Sequence, residues 1–172
     1  MWYYLPDMEE IILNSTPLVS VCFTGHRQLP PPRSAAFRQL VAHTEAAIRQ
    51  AFARGARRFY CGGAEGFDLL AGRLVLLLQQ RHLDIQLVLL LPYTGFGEGF
   101  AHADRAELRR QKKAAEEVVY LSNHYFPGCM AIRNRQLVED AGLCVAYLTH
   151  TPSGTAQTVG FAREKGIEVE YV

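Results

Sequence analysis

Apolar residues along this chain gather into short blocks, and the stretches between them carry apolar positions at three- and four-residue steps. Short apolar blocks bounded by turn residues read as strands, whereas the 3.6-residue period reads as helix. Leu18 to Thr24 is the first block, and it stops at Gly25. Pro30-Pro31-Pro32 interrupts regular structure. Phe37, Leu40, Val41, Ile48 and Phe52 then fall on one helical face, and Gly55 closes that helix. Arg57 to Cys61 predicts a second strand. Glu65 to His82 predicts a second helix, apolar nearly all round and therefore deeply packed. Ile85 to Leu91 is a continuous apolar run of the kind buried on both faces of a parallel sheet. The Gly- and Phe-rich loop Thr94 to Phe100 leads into a polar helix, Ala103 to Ala115. Strands follow at Val118–Leu121 and Leu143–Leu148, with a helix, Met130 to Ala141, between them. A last helix, Thr155 to Lys165, precedes an edge strand, Glu168 to Val172.

This alternation predicts an α/β protein, a helix-sheet-helix sandwich around a mostly parallel sheet of about six strands. It implies one domain over residues 17–172, preceded by an arm, residues 1–16. The arm carries Trp2, Tyr3 and Tyr4. Such aromatics pack on their own domain or on a second subunit, and a homo-oligomer is expected. The loops after Thr24, Cys61, Leu91, Leu121 and Leu148 all emerge at the carboxyl edge of the sheet, where open sheets of this class place ligands.

Composition narrows the partners. The chain has 172 residues, 49% hydrophobic and 20% charged, with a net charge of +1. No broad basic field exists, so nucleic acid is not an expected partner, although Arg54, Arg57 and Arg58 with Arg109, Arg110, Lys112 and Lys113 form a local concentration. Cys22, Cys61, Cys129 and Cys144 form no C-x-x-C pair, and a reducing cytoplasm suits them. Acidic residues stand where a signal peptide needs positive ones, and no apolar run is long enough for a membrane span. The six histidines lack metal-ligand spacing, so no metal site is expected.

Chemistry concentrates at four turns. Thr24-Gly25-His26-Arg27 follows the first strand, and Arg27 offers a planar fork to a phosphate or carboxylate. Gly62-Gly63-Ala64-Glu65-Gly66-Phe67-Asp68 opens a helix; its three glycines and the helix's free N–H groups suit an anion. Asp68 serves there as a dipole partner, as a contact to a ribose hydroxyl, or as a group that polarises water. Pro127 to Arg135 opens another helix, on which Arg133 and Asn134 reach the cleft while Arg135 faces elsewhere. Ser153-Gly154-Thr155 is a second small-residue turn ahead of a helix. No Gly-x-Ser-x-Gly elbow and no Cys–His pair supports a nucleophile.

The ordered motifs Cys-Phe-Thr-Gly-His-Arg (22–27), Gly-Gly-Ala-Glu-Gly-Phe-Asp (62–68), Leu-Pro-Tyr (91–93), Pro-Gly-Cys-Met-x-x-Arg-Asn (127–134) and Gly-Thr-Ala-x-Thr-Val (154–159) resemble the YpsA-like bacterial proteins. These belong to the SLOG superfamily, with the LOG phosphoribohydrolases and the Rossmann-like core of the DNA-processing protein DprA. The resemblance runs from about Ser20 to Val172. It implies a Rossmann-like fold, a nucleotide-derived ligand such as an ADP-ribose-like molecule, and a role in stress or cell-division control. It names no certain cofactor. The LOG enzymes carry a glutamate that takes part in N-glycosidic cleavage, and Thr158 stands in its place here. A threonine cannot act as the same general base.

The expected ligand-binding set is therefore Thr24, Gly25, Arg27, Gly62, Gly63, Glu65, Gly66, Asp68, Pro92, Tyr93, Arg133, Asn134, Ser153, Gly154 and Thr155. Asp68 and Glu65 are the catalytic candidates if the ligand is turned over. Three functions fit: a nucleotide-binding module, a hydrolase or transferase acting on a nucleoside monophosphate or related N-glycoside, and a DprA-like nucleic-acid module.

Overall fold

The computed structural model describes residues 18–81 and 84–172. The aromatic arm, residues 1–16, and the predicted helix end at His82 lie outside the described residues. Six strands form one sheet: β1 (Ser20–Gly25), β2 (Arg58–Cys61), β3 (Gln86–Leu91), β4 (Glu117–Tyr120), β5 (Leu143–Tyr147) and β6 (Glu168–Tyr171). Five helices connect them: α1 (Ala35–Ala53), α2 (Phe67–Gln79), α3 (His102–Ala114), α4 (Cys129–Glu139) and α5 (Gly154–Lys165). The spatial order is β4-β3-β2-β1-β5-β6, and every neighbouring pair is parallel. The expected mostly parallel sheet is thus fully parallel among the described residues.

The chain leaves β1 in one direction to build β2, β3 and β4, with α1, α2 and α3 packed on one face. It then crosses through α4 to β5 and β6, with α4 and α5 on the other face. Strand order therefore reverses between β1 and β5, which pair from Val21↔Leu143 to Gly25↔Tyr147. A crevice opens at the carboxyl ends of strands at such a reversal.

Packing follows from the sequence blocks. Phe23 of β1, Phe59 of β2 and Phe67 of α2 are fully buried and in ring contact. Each ring contributes roughly 1.5–3 kcal/mol by leaving water. The Ser34 hydroxyl caps α1 by accepting the Phe37 N–H at 3.1 Å. Helix α2 is apolar on most sides because α1, α3 and the sheet all cover it. Gly72 lets α3 approach closely, since a Cβ there would collide with the buried Gln111 amide. Observed boundaries move by a residue or two from those predicted. Helix α2 starts at Phe67 rather than Glu65 because Gly63 and Gly66 take positive φ and hold a turn.

Candidate functional site

The β1 turn is tied to three neighbours. His26 donates its backbone N–H to Tyr147 O at 3.3 Å and accepts the Phe67 N–H on its carbonyl at 3.1 Å. Its ring Nε2 accepts the backbone N–H groups of Thr149 at 2.9 Å and His150 at 3.4 Å. Arg27, next in the chain, is exposed. Gly25 carries no Cβ because the Phe67 ring occupies that space.

The β2–α2 turn is folded largely against protein. A Cβ on Gly62 would meet the Arg133 guanidinium, one on Gly63 would meet Leu91, and one on Gly66 would meet the Arg27 backbone. Two donors of the turn are already engaged: Ala64 N–H reaches Asp68 Oδ2 at 3.3 Å, and Phe67 N–H reaches His26. Three glycines in five residues therefore have a packing reason that needs no ligand. Asp68 and Ala64 are the members of this turn that line the cavity.

Arg133 enters from α4, across the sheet reversal. It is buried, donates Nη1 to the Gly62 carbonyl, and donates Nε to Asn134 Oδ1 at 2.8 Å. It pairs with Asp68 at 3.8 Å. Burial pushes the Asp68 carboxyl above its ordinary value, and the charge of Arg133, the Ala64 N–H and the charge of Arg27 pull it back only in part. Burial likewise pushes Arg133 down against the pull of Asp68. The pair is thus held by the fold at a desolvation cost.

Helix α5 supplies the last wall. The Ser153 hydroxyl caps it by accepting the Ala156 N–H at 3.0 Å. Among the described residues, the N–H groups of Gly154 and Thr155 have no protein partner. They point a helix N-terminus with its positive dipole end at the crevice. No side chain fills the space beside Gly154, where a Cβ would meet nothing within 4 Å. The β1 turn, α2, α4 and the start of α5 together enclose a cavity of about 340 Å³. That volume lies in the range of small-ligand sites, roughly 300–1,000 Å³.

A family profile for the YpsA SLOG proteins matches residues 33–159. The chain belongs to the YpsA SLOG family. No curated protein sequence matches it. Among solved structures, DNA processing protein A from Helicobacter pylori, described for its single-stranded DNA binding mode, superposes with a TM-score of 0.64 at 19% identity. That match covers 96% of this chain and 68% of the other. DprA from Streptococcus pneumoniae superposes with a TM-score of 0.65 at 19% identity, over 89% of this chain and 50% of the other. This SLOG chain spans about half the length of the latter, and at such identity the likeness shows the Rossmann-like fold.

The SLOG cavity gathers eight of the fifteen expected residues: Thr24, Gly25, Arg27, Asp68, Arg133, Asn134, Gly154 and Thr155 line it. Gly62, Gly63 and Gly66 support it from behind, and Ser153 caps the helix that borders it. Glu65, Pro92 and Tyr93 lie outside its lining. Tyr93 instead stands edge-on to Phe96 and Tyr125. Thr158, in the place of the LOG glutamate, is fully buried and donates its hydroxyl to the Gly154 carbonyl at 2.9 Å. It is committed to α5.

Phe23, His26, Ala64, Met130 and Leu137 complete the lining and were not among the expected set. Met130 and Leu137 flank Arg133 at helical three- and four-residue steps, so the α4 periodicity carries that signal. His26 lies between two expected residues, and its place in the β1 turn was the available clue.

Proposed function

We propose that this protein binds a phosphate-bearing, nucleotide-derived ligand in the cavity at the β1/β5 reversal. The observation that carries the reading is the meeting of three chemistries in one space. Gly154 and Thr155, whose N–H groups no protein group engages among the described residues, line it, and so do the exposed Arg27 and the buried Asp68. An anionic group fits the helix N-terminus and the guanidinium. A ribose hydroxyl fits the Asp68 carboxylate, while Met130 and Leu137 offer an apolar wall for a base. Calorimetry against AMP, ADP, ADP-ribose and cyclic dinucleotides tests the reading. Saturable binding by at least one, weakened by Arg27→Ala, is expected; no heat from any of them at millimolar concentration overturns it.

A second reading, turnover of a nucleoside monophosphate or related N-glycoside, draws on one specific feature. Asp68 is a buried carboxyl beside the phosphate position, and burial favours its protonated form. A carboxyl so placed can donate a proton to a leaving base. Thr158 supplies no replacement for the LOG glutamate. Release of free base or ribose phosphate, abolished in Asp68→Asn, is the expected result. Turnover unchanged in that variant refutes the assignment.

The DprA likeness raises nucleic acid as a ligand. Against it, Arg54, Arg58, Arg109 and Arg110 are each paired with a glutamate, which removes most of the local basic concentration. A mobility shift with single-stranded DNA that fades as salt rises would favour that alternative.

A further inference from the structure

We propose that His26 is a positioning residue of the ligand site, holding the loop between β5 and α5 through an imidazole that must stay neutral. This rests on the reading of the cavity given above. Four observations lead to it. First, His26 is 7% exposed and lines the cavity. Secondly, Nε2 accepts two backbone N–H groups, from Thr149 and His150. A nitrogen that accepts carries no proton, so the neutral ring is protonated on Nδ1. Thirdly, the His150 ring stacks on His26 with centroids 3.9 Å apart and planes 11° from parallel. Fourthly, the backbone of the same residue bonds β5 and the start of α2. One residue of the cavity lining therefore ties the β1 turn to β5, to α2 and, through its ring, to the loop that leads into the Ser153-Gly154-Thr155 turn.

Protonation of His26 removes the acceptor. Nε2 then bears an N–H facing the N–H groups of Thr149 and His150, and the loop loses both bonds. The groups around the ring reinforce this. His150 stacks from the β5–α5 loop, Tyr147 meets it edge-on from β5, and Arg27 adjoins it in the β1 turn. Asp68 of α2 and Arg133 of α4 line the same cavity as a charge pair, and the start of α5 brings only the uncharged Gly154 and Thr155. Burial, with His150 second, holds the His26 pKa below its ordinary value. A lowered histidine pKa contributes stability that is complete above the unfolded value and disappears as pH falls through the folded one. The latch is therefore closed at neutral pH and opens on acidification.

Amide hydrogen exchange by NMR on the full chain tests this without any ligand. Protection of the Thr149 and His150 amides, relative to the core amide of Val145, should fall about tenfold between about pH 7.5 and pH 5, the scale of two ordinary hydrogen bonds. His26→Ala should show the same loss already at the higher pH. His26→Gln places a carbonyl that accepts without titrating, and should stay protected at both. Wild-type protection that does not change with pH, or a His26→Gln loop that exchanges as fast as His26→Ala, overturns the proposal. AMP titrated by calorimetry supplies the second arm. Its affinity should fall about tenfold more on acidification in the wild type than in His26→Gln. Equal falls overturn the positioning role. Absence of AMP binding at either pH counts against the nucleotide reading, and the exchange data still decide the latch.

Discussion

Arg133 of α4 and Asp68 of α2 sit 3.8 Å apart with each side chain only 7% exposed, so the carboxylate in the cavity depends on a cation from the opposite layer of the fold. Removing one member of such a pair strands the other. Arg133→Met should destabilise the protein by about 3 kcal/mol, within the range for broken buried pairs. Adding Asp68→Asn to that variant should recover part of the loss, because two neighbours in one network are not additive. In Arg133→Met the Asp68 carboxyl rises further, so the folded state holds its proton to higher pH than the unfolded chain. Stability of that variant should then fall as pH rises above the ordinary carboxylate range. Urea unfolding of the two variants across pH measures both effects.

Gly62 has no room for a methyl group, because Arg133 and Asp68 occupy the place of its Cβ. Gly62→Ala should push the guanidinium off the Gly62 carbonyl and cost about 1–3 kcal/mol, the scale of overpacking. It should also weaken binding of any cavity ligand. Gly154→Ala, where a Cβ meets nothing, should leave stability nearly unchanged. Thermal unfolding of the two alanine variants separates a glycine required by packing from one that borders open space.

Glu107 on α3 supplies a pH dependence remote from the cavity. Burial raises its pKa, but hydrogen bonds from Arg110 and Gln111 and the charges of Arg73 and Arg110 outweigh that and bring it to about 2. A depressed carboxyl contributes stability that is complete above its unfolded value, about 4.3, and is lost as pH falls toward the folded value. Wild-type stability should therefore decline between about pH 4.3 and pH 2, and Glu107→Gln should flatten that limb at a cost of about 1–2 kcal/mol at neutral pH. Denaturant midpoints measured over this interval check the sign.

Ser153 and Arg27 border the same cavity but should fail differently. Ser153→Ala removes the cap on α5 and should cost about 1 kcal/mol of stability. Arg27→Ala removes an exposed side chain and should leave the unfolding midpoint within about 0.5 kcal/mol of wild type. Its loss should appear as an affinity decrease of about tenfold or more for an anionic ligand. Parallel melting and titration of the two variants distinguish a residue that shapes the turn from one that meets the ligand.

The β–α alternation was legible because buried parallel strands such as Ile85 to Leu91 are continuous apolar blocks, whereas α1 shows a clean helical stripe. The carboxyl-edge position of the site followed from that alternation alone. What remained illegible depended on distant pairings. Nothing near Gly62 announces that Arg133 will take the space where its side chain would be. The glycines that read as room for a phosphate are in the structure room for α4, for Leu91 and for the Arg27 backbone. Ser153-Gly154-Thr155 read as a second small-residue turn, and its Gly154 and Thr155 line the cavity with N–H groups that no protein group engages among the described residues. His26 escaped selection because one histidine carries no spacing pattern; its role depends on a loop more than a hundred residues later.

The strand reversal between β1 and β5 has a consequence for the order of synthesis. Everything up to β4 can pair as four parallel strands with α1, α2 and α3 on one side. At that stage Asp68 lacks its buried partner Arg133, and the second face of β1 is bare. The cation and the open helix end arrive afterwards, with α4 and α5. A chain that stops at Tyr120 therefore holds only part of the cavity wall, and the cavity is complete only once α4 and α5 have packed on the second face of β1.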